Sequence, residues 1–108
     1  MIPQLGPAEL HRWLADATRP PPALIDVREP WEFEFCRIEG SVLIPLGQLA
    51  ARAGEIPAGR PLVLVCHYGN RSNVAAEMLM RGGFGDVFNL RGGVELWAAE
   101  VDPNMKRY

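Results

Sequence analysis

Leu62-Val63-Leu64-Val65-Cys66-His67-Tyr68-Gly69-Asn70-Arg71-Ser72 is the stretch around which the rest of the chain is organised. Leu62 to Val65 is an uninterrupted apolar run, as expected of a central parallel strand covered on both faces. Ser72 then opens a helix that runs to Arg81. Its Ala75, Met78 and Leu79 share a face, and Gly82-Gly83 ends it. A buried strand that passes through a tight loop into a helix is one unit of an α/β fold.

The same unit recurs on either side. Upstream, Val42 to Ile44 reads as a strand stopped by Pro45, with a short helix over Leu46 to Ala53. Ala23 to Val27 reads as another strand, and Pro30 opens a short helix through Phe35. A helix starts at Gly6-Pro7 with Leu10, Trp13, Leu14 and Ala17 as its apolar stripe, after a short strand at Ile2 to Gln4. Pro20-Pro21-Pro22 is too short to separate domains and reads as a stiff turn. Downstream, Val87 to Leu90 is the fifth strand. Gly92-Gly93 introduces a last helix with Val94, Trp97 and Ala98 turned inward. This alternation predicts an α/β domain over residues 1–108, three layers deep (α/β/α), with a five-stranded parallel sheet. The crevice of such a fold lies beyond the carboxyl ends of its strands, where Asp26, Arg28, Cys66 and Arg91 should emerge.

Composition narrows the function. A net charge of −2 over 108 residues provides no basic field for nucleic acid or an anionic membrane, so any anion site must be built locally. No apolar run approaches the ~18 residues of a membrane helix. The opening residues MIPQLGPAEL lack the features of a signal peptide, which points to the cytoplasm and to reduced thiols at Cys36 and Cys66. There is no CxxC and no Cys/His pair at zinc spacing, so neither a metal nor a cofactor is expected.

The loop carries the chemistry. Gly69 and Asn70 are the residue types that take positive φ most readily, so the chain can curl back after Cys66. Curling aims the backbone N–H groups from His67 to Ser72 into one concavity, reinforced by the N-terminus of the following helix, which Ser72 caps. A cysteine facing such a nest is held as the nucleophilic thiolate without a histidine base. Arg71 adds a planar fork suited to an oxyanion. A cysteine at a strand end is often only a small buried hydrophobe. Gly, Asn, Arg and Ser within the next six residues weigh against that reading here.

Cys66-His67-Tyr68-Gly69-Asn70-Arg71-Ser72 resembles the active-site loop of rhodanese-like sulfurtransferases, and three other segments resemble that family in the right order. These are Asp26-Val27-Arg28-Glu29 with Trp31-Glu32-Phe33, the run Ile38 to Pro45, and Asn89-Leu90-Arg91-Gly92-Gly93 with Trp97. Arg37 and Cys36 depart from it, standing where the family usually has His and Gly.

The resemblance implies a rhodanese-like fold and a two-step transfer. Cys66 takes a sulfane sulfur from thiosulfate or a related small anionic donor. It then passes the sulfur to cyanide, a small thiol or a thiol protein. Residues His67 to Ser72 would bind the substrate, and Asp26 and Arg28 would support the crevice, either orienting substrate or simply pairing with each other. Two alternatives share the fold. One is a cysteine-dependent phosphatase, whose loop has five residues between Cys and Arg rather than the four seen here. The other is a binding or sulfur-carrier module with little turnover. His67 is either a proton carrier or part of the rim. Arg91 either lines the mouth or is solvated. Cys36 is either a resolving thiol or a buried bystander. His11 is given no role, and Trp13 and Trp97 are read as packing.

Overall fold

The computed structural model describes residues 1–108. Its elements run β1 (Gln4–Leu5), α1 (Pro7–Ala15), β2 (Ala23–Asp26), α2 (Pro30–Phe35), β3 (Val42–Leu43), β4 (Leu62–Val65), α3 (Asn70–Arg81), β5 (Val87–Leu90) and α4 (Gly93–Glu100). The five strands form one sheet in the order β1-β5-β4-β2-β3, every neighbouring pair parallel. Ile25 stands beside Leu64 and Leu64 beside Asn89, so β4 lies at the centre, as its apolar run requires.

The pleat divides the core in two. Leu62, Leu64 and Cys66 point to the face covered by Ala75, Ala76 and Leu79 of α3. Val63 and Val65 point to the other face, against Leu10 and Trp13 of α1 and Val94 and Trp97 of α4. Burying one aliphatic side chain of this kind contributes roughly 1.5–3 kcal/mol. The period of two therefore also decides where the cysteine goes: Cys66 faces α3. Cys36 packs with the opposite core cluster, across the sheet, which removes it as a resolving thiol for Cys66.

Several expectations need correction. The first strand is Gln4–Leu5 rather than Ile2 to Gln4, because Ile2 turns into the core. Helix α1 stops at Ala15, where the Asp16 carboxylate captures the N–H and hydroxyl of Thr18. Ala17 therefore lies beyond the helix and is exposed, and Leu14, though helical, falls outside the buried stripe of Leu10 and Trp13. The helix expected over Leu46 to Ala53 is instead two 3-10 turns, Leu46–Gln48 and Ala53–Glu55. Gly47, Gly54 and the flanking prolines leave no room for a continuous α-helical ladder. Helix α3 begins at Asn70, two residues earlier than expected, with Gly69 as its N-cap at φ 98°.

Candidate active site

Strand β4 delivers Cys66 to the carboxyl edge of the sheet, and the loop closes around its sulfur. The Gly69 N–H donates to Cys66 Sγ at 3.0 Å, and Ser72 Oγ lies 3.1 Å from the same atom. This requires Gly69 to be left-handed, with Gly92 N only 3.1 Å from where a Cβ would sit. Asn70 does not share that role; it is an exposed helical residue with negative φ. Ser72 is not the cap but a buried residue of the first turn. Its hydroxyl also approaches Asn89 Oδ1 at 2.5 Å, and its one proton serves one acceptor at a time. Asn89 is held in turn by donating to Gln4 and to the Gly69 carbonyl.

The N-terminus of α4 orients the remaining peptides. Val94 N–H donates to the Cys66 carbonyl at 2.9 Å and Glu95 N–H to the His67 carbonyl at 3.0 Å. In a trans peptide the N–H points opposite to the carbonyl. Pinning these oxygens to α4 thus turns the N–H groups of His67 and Tyr68 toward the α3 face, where Sγ lies. Neither these nor the N–H groups of Asn70, Arg71 and Ser72 have an acceptor within the chain. Beside the Gly69 N–H on the sulfur, the loop thus carries a run of unsatisfied main-chain donors, a type of nest able to hold an anionic atom.

Arg71 reaches across to α2. Its Nη1 and Nη2 donate to Glu32 Oε1 and Oε2 at 2.7 and 2.8 Å, a bidentate pair. Arg71, the Glu29 N–H and the Tyr108 hydroxyl together outweigh burial and hold the Glu32 carboxyl down to about 2. Its stabilising effect is therefore present above the ordinary carboxylate range and is lost only as pH falls toward 2.

Behind this pair, Asp26 and Arg28 are both fully buried and joined by a bidentate bridge with a shortest contact of 2.7 Å. Arg28 also donates to the Cys36 carbonyl and to Tyr108 Oη. Burial works against its charge, but Asp26 and Tyr108 more than compensate and keep it firmly protonated. Buried and paired with each other, these two residues lie in the wall behind the loop.

His67 stacks between Tyr68 and Tyr108, with ring centroids 3.9 and 3.8 Å away. Its Nε2 faces Glu95 at 3.7 Å and makes no hydrogen bond. Burial pushes its pKa below the usual value even though Glu95 pulls the other way. A group whose folded pKa is depressed contributes stability above its unfolded value and loses it as pH falls. Acidifying from pH 7 to 5 is accordingly expected to destabilise the chain, and His67→Gln to flatten that part of the profile in chemical denaturation. Arg91 lies exposed with its guanidinium over Gly6, away from the loop.

Sequence reading passed over Glu32, Asn89 and Tyr108 as site residues. Glu32 and Asn89 stood inside two of the quoted segments, but neither has a local pattern that marks its contact. Tyr108 lies 76 positions from Glu32 along the chain, and no spacing rule spans that distance.

No group of three His, Cys, Asp or Glu side chains comes together to hold a metal, and no helix is long and apolar enough to cross a membrane.

Comparison with known proteins places the chain in a family. The family model described as a rhodanese-like domain matches residues 6–100. The probable adenylyltransferase/sulfurtransferase MoeZ of Mycobacterium tuberculosis is 38% identical over 96% of this chain. The chain spans about a quarter of that relative's length (26%). The thiosulfate sulfurtransferase GlpE of Pseudomonas syringae is 43% identical over 68% of this chain and 70% of its own length. Among solved structures, reduced CoADR-RHD of Bacillus anthracis superposes with a TM-score of 0.84 at 34% identity, over 96% of this chain and 18% of that one.

Proposed function

This chain belongs to the rhodanese-like domain family, and on that premise we propose that it transfers sulfane sulfur through a persulfide on Cys66. The observation that carries the proposal is the Gly69 N–H donating to Cys66 Sγ at 3.0 Å, beside loop N–H groups that are free of acceptors in the chain.

With thiosulfate as donor, the Cys66 thiolate attacks the outer sulfur and a new S–S bond forms. The old S–S bond breaks and its electron pair leaves with sulfite. The persulfide's outer sulfur then carries the negative charge, and the loop N–H groups are placed to hold it. A thiol, cyanide or a protein thiolate attacks that sulfur in the second step and restores the Cys66 thiolate. The name of the relative GlpE supports thiosulfate as a donor. Sulfur transfer is preferred to phosphate chemistry because only four residues separate Cys66 from Arg71, a narrower ring than phosphate monoesters need.

Single-turnover mixing with thiosulfate should release one sulfite per chain and leave one sulfur on the protein. Release of sulfite without retained sulfur would overturn the persulfide step. Arg71 is proposed as a positioning residue that neutralises the Glu32 carboxylate at the mouth of the loop. Arg71→Ala should lower kcat/KM for thiosulfate by about 10-fold or more, read from sulfite release. Removing it leaves the Glu32 charge facing the incoming anion.

A further inference from the structure

We propose that Glu32 is a specificity-determining residue: by filling the Arg71 fork it favours a carbon-borne persulfide, R–S–SH, over a small sulfur oxyanion as donor. The inference rests on the persulfide reading above and refines its substrate class.

A sulfonate bound by Arg71 would use the two Nη groups in a planar, bidentate contact. Glu32 already makes that contact, at 2.7 and 2.8 Å, from a carboxylate whose side chain is only 6% exposed. The carboxylate is itself fixed from two more directions, by the Glu29 N–H at 2.9 Å and the Tyr108 hydroxyl at 2.7 Å. It is thus an internal stand-in for an oxyanion, held too firmly to swing away at no cost. Other guanidiniums do not replace the lost fork. Arg28 is taken by Asp26 in the interior, and Arg107 is paired with Glu95.

The surroundings of this pair are aromatic. Tyr68, His67, Tyr108 and Trp31 follow one another in ring contact, and Tyr108 touches Glu32. The ends of this row stand in solvent, Tyr68 at 57% and Trp31 at 62% exposure. A dianion gains little from such a rim, whereas an organic substituent on sulfur gains contact area along it.

The transfer step balances without a co-reactant. The Cys66 thiolate attacks the terminal sulfur of R–S–SH and the new Sγ–S bond forms. The donor S–S bond breaks with its electron pair leaving on R–S⁻, and Cys66–S–SH remains. The sulfane sulfur keeps its oxidation level.

The test measures Cys66 persulfide formation with two probes, thiosulfate and the persulfide of N-acetylcysteamine, which carries no sulfonate, in wild type and Glu32→Gln. The variant should raise kcat/KM for thiosulfate by about 5-fold, through KM, and leave the organic persulfide within about 2-fold. A fall for thiosulfate alone would mean that Glu32 aligns Arg71 for the anion and would overturn the proposal. Equal falls for both donors would assign Glu32 a purely structural role and overturn it too. Should the variant not fold, wild type decides. A cancelled Arg71 charge predicts thiosulfate loading that changes less than about 2-fold between low and high salt. A steep decline with salt would contradict it. Failure of both probes to load Cys66 would instead bring down the persulfide reading itself.

Discussion

Cys66→Ser is expected to abolish persulfide formation and to lower sulfur transfer by at least about 10³-fold while leaving the fold intact. Serine is nearly the same size as cysteine, and its oxygen would meet the Gly69 N–H and Ser72 hydroxyl that now serve the sulfur. The site is 1% exposed among Ile25, Leu64 and Ala75, so a satisfied hydroxyl there should cost only about 1 kcal/mol. What is lost is the polarisable, readily ionised sulfur, which no other group replaces; Cys36 lies across the sheet. Thermal denaturation beside the kinetic assay separates the two effects. A variant that unfolds would leave the chemistry unresolved, so Cys66→Ala serves as a second removal of the nucleophile.

Gly93→Ala is expected to lose both stability and loading. Gly93 has φ 57°, and a Cβ there would collide with the Cys66 and His67 carbonyl oxygens. Those two oxygens are the ones that α4 grips, and their capture is what turns the His67 and Tyr68 N–H groups toward the sulfur. Left-handed strain of about 1–2 kcal/mol adds to about 1–3 kcal/mol of overpacking, so chemical denaturation should show a loss of about 2–5 kcal/mol. Thiosulfate loading should fall by about 10-fold in the folded fraction, since the donors move with the peptides. Gly59→Ala separates the causes. It shares a positive φ, 76°, but its Cβ would meet nothing within 4 Å. It should cost only about 1 kcal/mol and leave loading unchanged. Equal losses in the two variants would mean that strain alone, and not the grip of α4 on the loop, explains Gly93.

Much of this architecture is legible in the chain because its signals are local. The Leu62 to Val65 run, the Pro-initiated helices and the paired glycines each announce an element within a few residues. The loop was legible for the same reason, since Cys66, Gly69, Arg71 and Ser72 lie within seven positions. What stayed hidden depends on contacts distant in sequence. Glu32 meets Arg71 across 39 positions, and Asn89 meets Gly69 across 20. Only the folded sheet brings them together. Ser72 resembles a cap in the sequence, whereas the left-handed Gly69 lets α3 begin two residues earlier. After β3 the apolar spacing imitates a helix, while glycines and prolines break its ladder into two 3-10 turns.

Intact mass spectrometry of the wild-type chain after thiosulfate treatment tests the central claim most directly. A gain of one sulfur atom, mapped to Cys66 and lost on adding cyanide or a thiol, is the predicted result. A chain that keeps its mass, or that gains sulfur equally well as Cys66→Ser, would contradict it.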